Sequence, residues 1–299
     1  MSRSVVLVNP ARVPNEAALR SLIQQVLGQV GWPPPSWLAT TPEDPGERLV
    51  RAAVADGAEV VFACGGDGTV MAAAAALAGS AAALAILPFG TGNLLARNLG
   101  LPSGVEAGVW SAVRGGRRVI DLGEVEGRIF TVAAGIGLDA RVLADTSHRA
   151  KRLLGWLAYV VASIRHLGGP SFTVRIRLDD RPAISRQVRS VLVANVGRFP
   201  AGLNLLPGAL PDDGLFEVAL ITPRRLLDWA RLITSMAGRH PRGGRVETFT
   251  AAAVELVAEL PQPRQADGEP IGEGSRMSVR VRPQALTVCV PSSTPALGE

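Results

Sequence analysis

Two short stretches of this 299-residue chain have residue types and spacing suited to holding a phosphorylated ligand. The first is "VVFACGGDGTV", residues 60–70. An apolar, β-branched run stops at Gly65 and Gly66, and Asp67, Gly68 and Thr69 follow. Glycines at such a point remove side chains where the backbone must approach something closely or take a positive φ. Thr69 opens the next helical run, and the free N–H groups of a helix start attract an anion. A carboxylate among phosphates works through a divalent cation, since it would otherwise repel them. Asp67 therefore reads either as a metal-site acid or as a plain helix cap. The second stretch, "PFGTGNLLARNLGLP" (88–102), repeats the design: a strand end, glycines around Thr91, then a helix. Two adjacent strand ends of this kind make one shared phosphate site. Neither loop contains a lysine, so neither is a Walker loop, and the glycine spacing is not that of a dinucleotide fingerprint.

Such loops need strands to carry them. The first third of the chain alternates strand and helix. "SVVLVNP" (4–10), "SWLATT" (36–41), "EVVFACG" (59–65) and "AALAILPFG" (82–90) read as strands. Leu19, Leu22, Ile23, Val26, Leu27 and Val30 repeat at helical spacing, "GERLVRAAVADG" (46–57) is a helix closed by Gly57, and the alanine tract from Thr69 to Leu77 favours helix. "NLLARNLG" (93–100) is a further short helix. This alternation predicts an open parallel sheet with helices on both faces, and ligands bind beyond the carboxyl ends of its strands. Near residue 117 the pattern changes to short strand-like runs, from "RVIDLGEV" to "VETFTAAAVELVAEL" and "SVRVRPQALTVCVP", broken by turns such as Asp179-Asp180 and Asp213-Gly214. The expectation is a nucleotide-binding α/β domain over 1–117, a mostly antiparallel β domain over 118–291 interrupted by helices near 139–167 and 223–237, and a loose tail over 292–299.

Composition narrows the classes. Apolar residues make up 47% of the chain, enough for a large core. The net charge of +5 comes almost wholly from arginine, with Lys151 the only lysine, and is too diffuse to suggest nucleic acid. Cys64 and Cys289 stand alone in apolar runs and read as buried, reduced thiols, which suits a cytoplasmic protein. No apolar run is long enough to span a bilayer.

The two glycine loops together resemble the diacylglycerol kinase catalytic domain family, which includes soluble bacterial lipid kinases and, more distantly, sphingosine and ceramide kinases. The resemblance extends over nearly the whole chain through "VLVNP", "RRVIDLGEV", "GIGLDARV", "LPDDGLFEV" and "ADGEPIG", in family order. It implies a phosphofructokinase-like N-terminal domain, a C-terminal β-sandwich and an active site in the interdomain cleft. It implies ATP against Asn9, Pro10, Thr40, Thr41, Gly65, Gly66, Gly68, Thr69, Gly90, Thr91 and Asn93, and Mg2+ near Asp67, Asp121 and Asp267. "ADGEPIG" alone reads as an Asp-Gly hairpin with a solvated glutamate; the resemblance makes Glu269 the general base that deprotonates a lipid hydroxyl. It also suggests a structural metal at Asp213 with the carbonyls of Leu210 and Leu215, although a plain Asp-Gly turn fits that stretch equally well. Three positions depart from the family: Ala72 replaces a frequent glutamate, Leu94 a frequent aspartate, and no glycine follows Asn9-Pro10.

The function implied is ATP-dependent phosphorylation of a lipid alcohol, most simply diacylglycerol to phosphatidic acid. Alternatives are a sphingoid, ceramide-like or other lipid alcohol as acceptor, an NAD kinase, which shares "GGDGT", or a non-enzymatic nucleotide-dependent lipid-binding protein. A lipid acceptor implies transient, peripheral membrane contact; a sheet-edge homodimer is also open. "HRAKRLLGWLAYVVASIRHLGG" (148–169) has an apolar middle with Trp156 and Tyr159, basic ends, and Arg165 interrupting it. This suits either a helix resting in the headgroup layer or a core helix. "RRLLDWARLITSMAGRHPRGGR" (224–245) ends in an arginine cluster. Replacing Arg239, Arg242 and Arg245 with glutamate should reduce co-sedimentation with anionic liposomes and leave neutral liposomes unaffected; unchanged anionic binding would remove these arginines from any membrane role.

Overall fold

The computed structural model describes residues 3–137, 171–199, 204, 206–222 and 246–292. The helices expected near 139–167 and 223–237, the two stretches considered for membrane contact, and all but the first residue of the tail lie outside the described residues. The chain divides into two units, one of residues up to Leu122 together with those from Pro283 onward, the other Gly123–Arg282.

The first unit is α/β. Strands β1 (Ser4–Val8), β2 (Ser36–Ala39), β3 (Val60–Gly65) and β4 (Ala83–Pro88) pair in parallel in the order β2-β1-β3-β4. β1 and β3 are buried at every position, as strands covered on both faces must be. Val6, Val8, Phe62, Cys64, Ala85 and Leu87 share a core with Leu19, Ile23, Val26 and Leu27 of helix α1 (Glu16–Gln29) and with Val109 and Ala112 of α5 (Val105–Arg114). Asn15 starts α1 by accepting the Ala18 N–H at 2.9 Å. α2 (Glu47–Ala55) packs against α3 (Asp67–Leu77), which lies on β3 and β4. Alanine methyls at 72–74 let α3 sit close to the sheet. A short α4 (Leu94–Asn98) follows β4. Helix α5, opened by Gly104, was not anticipated from the sequence.

The second unit is antiparallel. β5 (Gly116–Val125) and β6 (Arg128–Phe130) form a hairpin, followed by β7 (Ala133–Gly137), β8 (Phe172–Leu178), β9 (Ile184–Val188), β10 (Ser190–Ala194), β11 (Phe216–Ile221), β12 (Val246–Ala251), β13 (Ala253–Ala266) and β14 (Glu269–Val290). The order runs β12-β11-β10-β7-β13-β14, with β8 and β9 branching from β13. β13 serves two ladders: residues 254–258 pair with β8 and 264–266 with β7. The irregularity between Val257 and Gln262 bends the strand from one to the other. The core includes Phe130 and Phe216, stacked 5.7 Å apart.

Two expectations change. "VETFTAAAVELVAEL" is two strands, because the Asp179 carboxylate accepts the N–H groups of Ala252 and Ala253, both at 2.9 Å, and breaks the run there. The boundaries differ as well: the expected change at 117 falls after Leu122, and residues from Pro283 on, read as part of the β domain, return to the first unit. Thr287 and Val288 pair in parallel with Ala83 and Leu84, adding a strand beside β4. Cys64 and Cys289 are free, buried thiols; burial pushes Cys289 up to about 11 and Cys64 higher, so both remain protonated near neutrality.

A Cβ at Gly123 would overlap the ring of fully buried Phe130. Gly123→Ala should cost about 1–3 kcal/mol from overpacking, read as a lowered thermal or urea midpoint; an unchanged midpoint would mean the ring can move away.

Candidate active site

The first glycine loop lies where β3 gives way to α3. Gly66 is extended at the helix start and no side chain caps it. The first backbone bond of the helix is Val70 N–H to Gly66 C=O at 3.1 Å, which leaves the N–H groups of residues 67–69 to an external acceptor. Thr69 is buried, and a Cβ on Gly65 would strike its hydroxyl. Asn9 donates to that hydroxyl at 3.5 Å, gives its N–H to Cys64 C=O at 2.9 Å and accepts the Ala11 N–H at 3.0 Å. Asn9 thus ties the ends of β1 and β3 together, and Pro10 beyond it is exposed.

The second loop leans on the first. Phe89 N–H binds Gly65 C=O at 2.8 Å. Asn93 is left-handed at φ 48 and spends both polar side-chain atoms on Gly90, accepting its N–H at 3.0 Å and donating to its C=O at 2.7 Å. The Asp67 carboxylate crosses to this loop and accepts the N–H groups of Asn93 at 2.9 Å and Leu94 at 2.6 Å. A Cβ on Gly92 would come within 2.5 Å of that carboxylate, and one on Gly90 within 2.7 Å of Gly66 Cα. These glycines therefore allow the two loops to touch each other. Thr91 is exposed at the loop crest. Past β2, Thr40 gives its N–H to Val8 C=O at 2.9 Å, while Thr41 and Asp44 exchange two bonds at 3.0 and 3.1 Å.

These residues fit phosphate and a divalent cation. The uncapped turn of α3 offers N–H groups to phosphate oxygens. A carboxylate has about four acceptor positions, and two of those on half-buried Asp67 are taken, leaving it able to ligate. Asp121 is 1% exposed and accepts the Gln284 N–H at 2.7 Å, so it braces the return of the chain to this unit.

In the second unit, Asp267 accepts four bonds: Thr131 N–H at 2.7 Å, Thr131 Oγ1 at 2.8 Å, Val132 N–H at 2.8 Å and Ala133 N–H at 3.0 Å. Desolvation raises its carboxyl pKa, and those four donors pull the other way. Glu269 follows two residues later with its side chain in solvent. In the "LPDDGLFEV" stretch, Asp213 accepts the Leu215 N–H at 3.0 Å, an Asp-Gly turn feeding β11. Leu210 and Leu215 are exposed. Sequence reasoning missed Glu217. It accepts the N–H groups of Gly208 and Ala209, desolvation raises its pKa with Asp213 adding to the rise, and its Oε2 is buried without a partner. A buried orphan oxygen beside a second acid fits a structural cation at this loop. The signal was available: Glu217 is a lone acid within the apolar run "LFEVALI". Among the described residues no three His, Cys, Asp or Glu side chains gather into a metal-holding group.

Both parts of the chain match known protein families. Residues 3–125 match the diacylglycerol kinase catalytic domain, and residues 131–290 match the YegS C-terminal NAD kinase beta sandwich-like domain. A "Probable lipid kinase YegS-like" of Pseudomonas syringae pv. tomato is 34% identical over 272 residues, covering 84% of this chain and 82% of the relative. Its namesake in Yersinia enterocolitica is 29% identical over 269 residues, covering 84% and 86%. The crystal structure of a diacylglycerol kinase from Bacillus anthracis aligns with a TM-score of 0.75 at 17% identity, covering 99% of this chain and 98% of that one. An Archaeoglobus fulgidus NAD kinase in complex with ATP aligns with a TM-score of 0.55 at 12% identity, covering 96% and 94%. At these identities the structures establish the fold alone.

Gly92→Ala should push the Asp67 carboxylate off Asn93 and Leu94. Affinity for a fluorescent ATP analogue with Mg2+ should fall by about tenfold or more, with little change in thermal midpoint. Undiminished nucleotide affinity would show that the contact between the loops does not shape the phosphate site.

Proposed function

Because this chain belongs to the YegS-like family of lipid kinases, we propose that it transfers the γ-phosphoryl group of ATP to the hydroxyl of a lipid, with diacylglycerol as the simplest acceptor. The observation that carries the reading is the Asp67 carboxylate, which gathers two glycine loops beside an uncapped helix start. N–H groups from residues 67–69 orient the phosphates without a lysine. Mg2+, when bound, neutralises charge on the phosphates, and Asp67 at these loops has acceptor positions left to hold it.

Glu269 is the proposed base. A lipid hydroxyl is a weak nucleophile near neutral pH, so removal of its proton during attack on the γ-phosphorus assists transfer. An exposed carboxylate that begins a strand, and that has no partner among the described residues, is open to such a hydroxyl. Ala72 and Leu94, two of the three departures from the family pattern, do not disturb this arrangement: Ala72 is buried in α3, and Leu94 serves through its N–H. A lipid acceptor also requires a visit to a bilayer. Among the described residues no helix is long and apolar enough to cross one.

The test uses purified protein, γ-labelled ATP, Mg2+ and a mixed lipid extract, with NAD supplied in a parallel reaction. A labelled lipid should appear, and Glu269→Gln should reduce it by about 10²–10⁴-fold while ATP affinity is retained. Labelled NAD, or no labelled product, would overturn the reading.

A further inference from the structure

We propose that Asp267 is a positioning residue for Glu269: it locks the hairpin tip that presents the base, and it is not a magnesium ligand. The inference rests on Glu269 being the base. Asp267 and Gly268 are the two residues between the paired positions Ala266 and Glu269. Both have positive φ, 47 and 84, the backbone of a tight two-residue hairpin turn in which Asp-Gly is favoured. Glu269 therefore takes its place from this turn.

The turn is held from several sides. The Asp267 carboxylate accepts four hydrogen bonds from Thr131, Val132 and Ala133. The Asp267 N–H donates to Ala133 C=O at 2.8 Å. The Gly268 N–H donates to the side chain of buried Gln265 at 2.7 Å. The receiving segment is itself fixed. Fully buried Asn195 gives its N–H to Val132 C=O at 2.8 Å and its amide to Thr131 C=O at 3.1 Å. A second tie lies nearby, where Arg264 of β13 pairs with Glu126 in the β5–β6 turn.

Four donors fill the roughly four acceptor positions of one carboxylate. A cation taking Asp267 would have to displace backbone N–H groups and leave them unpaired in a desolvated place, which is costly. Asp67 differs, with two donors. Glu269 also differs, having no partner among the described residues and an exposed side chain. Rigid backbone beneath a free carboxylate is what a base needs if it is to meet a hydroxyl without reorganising.

The test compares the wild-type chain with Asp267→Asn, Thr131→Val and Thr131→Ser. An Asn amide turns a donor toward donors; Val removes only the Oγ1 bond, and Ser restores it. Amide exchange would be followed by mass spectrometry in peptides covering 129–135 and 266–271, and lipid phosphorylation with labelled ATP at varied Mg2+. Asp267→Asn should speed exchange in both peptides by about tenfold or more. It should lower kcat by about thirtyfold, with KM for ATP and half-saturating Mg2+ unchanged within about twofold. Thr131→Val should show a weaker form of the same pattern and Thr131→Ser should recover, so the proposal stays testable if Asp267→Asn fails to fold. Unchanged exchange, or half-saturating Mg2+ raised by about tenfold, would overturn it. If the wild type labels no lipid, the functional reading fails by itself, and the exchange data still decide whether Asp267 holds the tip.

Discussion

Asp67 begins a helix on one strand end, and its carboxylate is satisfied by Asn93 and Leu94 on the next strand end. Much of the first unit follows from that link. Gly92 must lack a side chain for the carboxylate to enter, and Gly90 must lack one for its loop to meet Gly66. Asn93 must bend into a left-handed conformation and bind Gly90 twice, because the loop has to turn its N–H groups toward the acid. Since the Asp67 carboxylate is directed at the second loop, it does not cap its own helix, and the first-turn N–H groups of α3 stay available to an anion. The two glycine loops are thus built first around a carboxylate.

The second unit treats its acids differently. The Asp267 carboxylate is filled by donors, while Glu269 has none among the described residues. Carboxylates two positions apart in sequence thus stand in opposite surroundings, one filled by converging N–H groups and one exposed. Glu217 is intermediate, with one oxygen buried and unmatched. Counting donors per carboxylate sorts these acids more sharply than their place in a motif.

The strand–helix alternation, the two glycine loops and the Asp-Gly hairpin were all legible in the sequence, because each depends on local preference or on a short apolar period. The purpose of the glycines was less so. Gly90 and Gly92 meet Gly66 and Asp67, and contacts between residues 24 and 25 apart leave no local trace. The same limit hid the split at Ala252, which is imposed by Asp179 more than seventy residues away, and the return of Thr287 and Val288 to the first sheet. An apolar strand reads alike in either unit.

The most direct test of the account is a crystal structure with a non-hydrolysable ATP analogue and Mg2+. The account predicts phosphate oxygens on the N–H groups of residues 67–69, the Asp67 carboxylate still bonded to the Leu94 N–H, and the cation on its remaining acceptor positions. Phosphates bound away from the start of α3, or glycine loops that separate when the nucleotide enters, would contradict it.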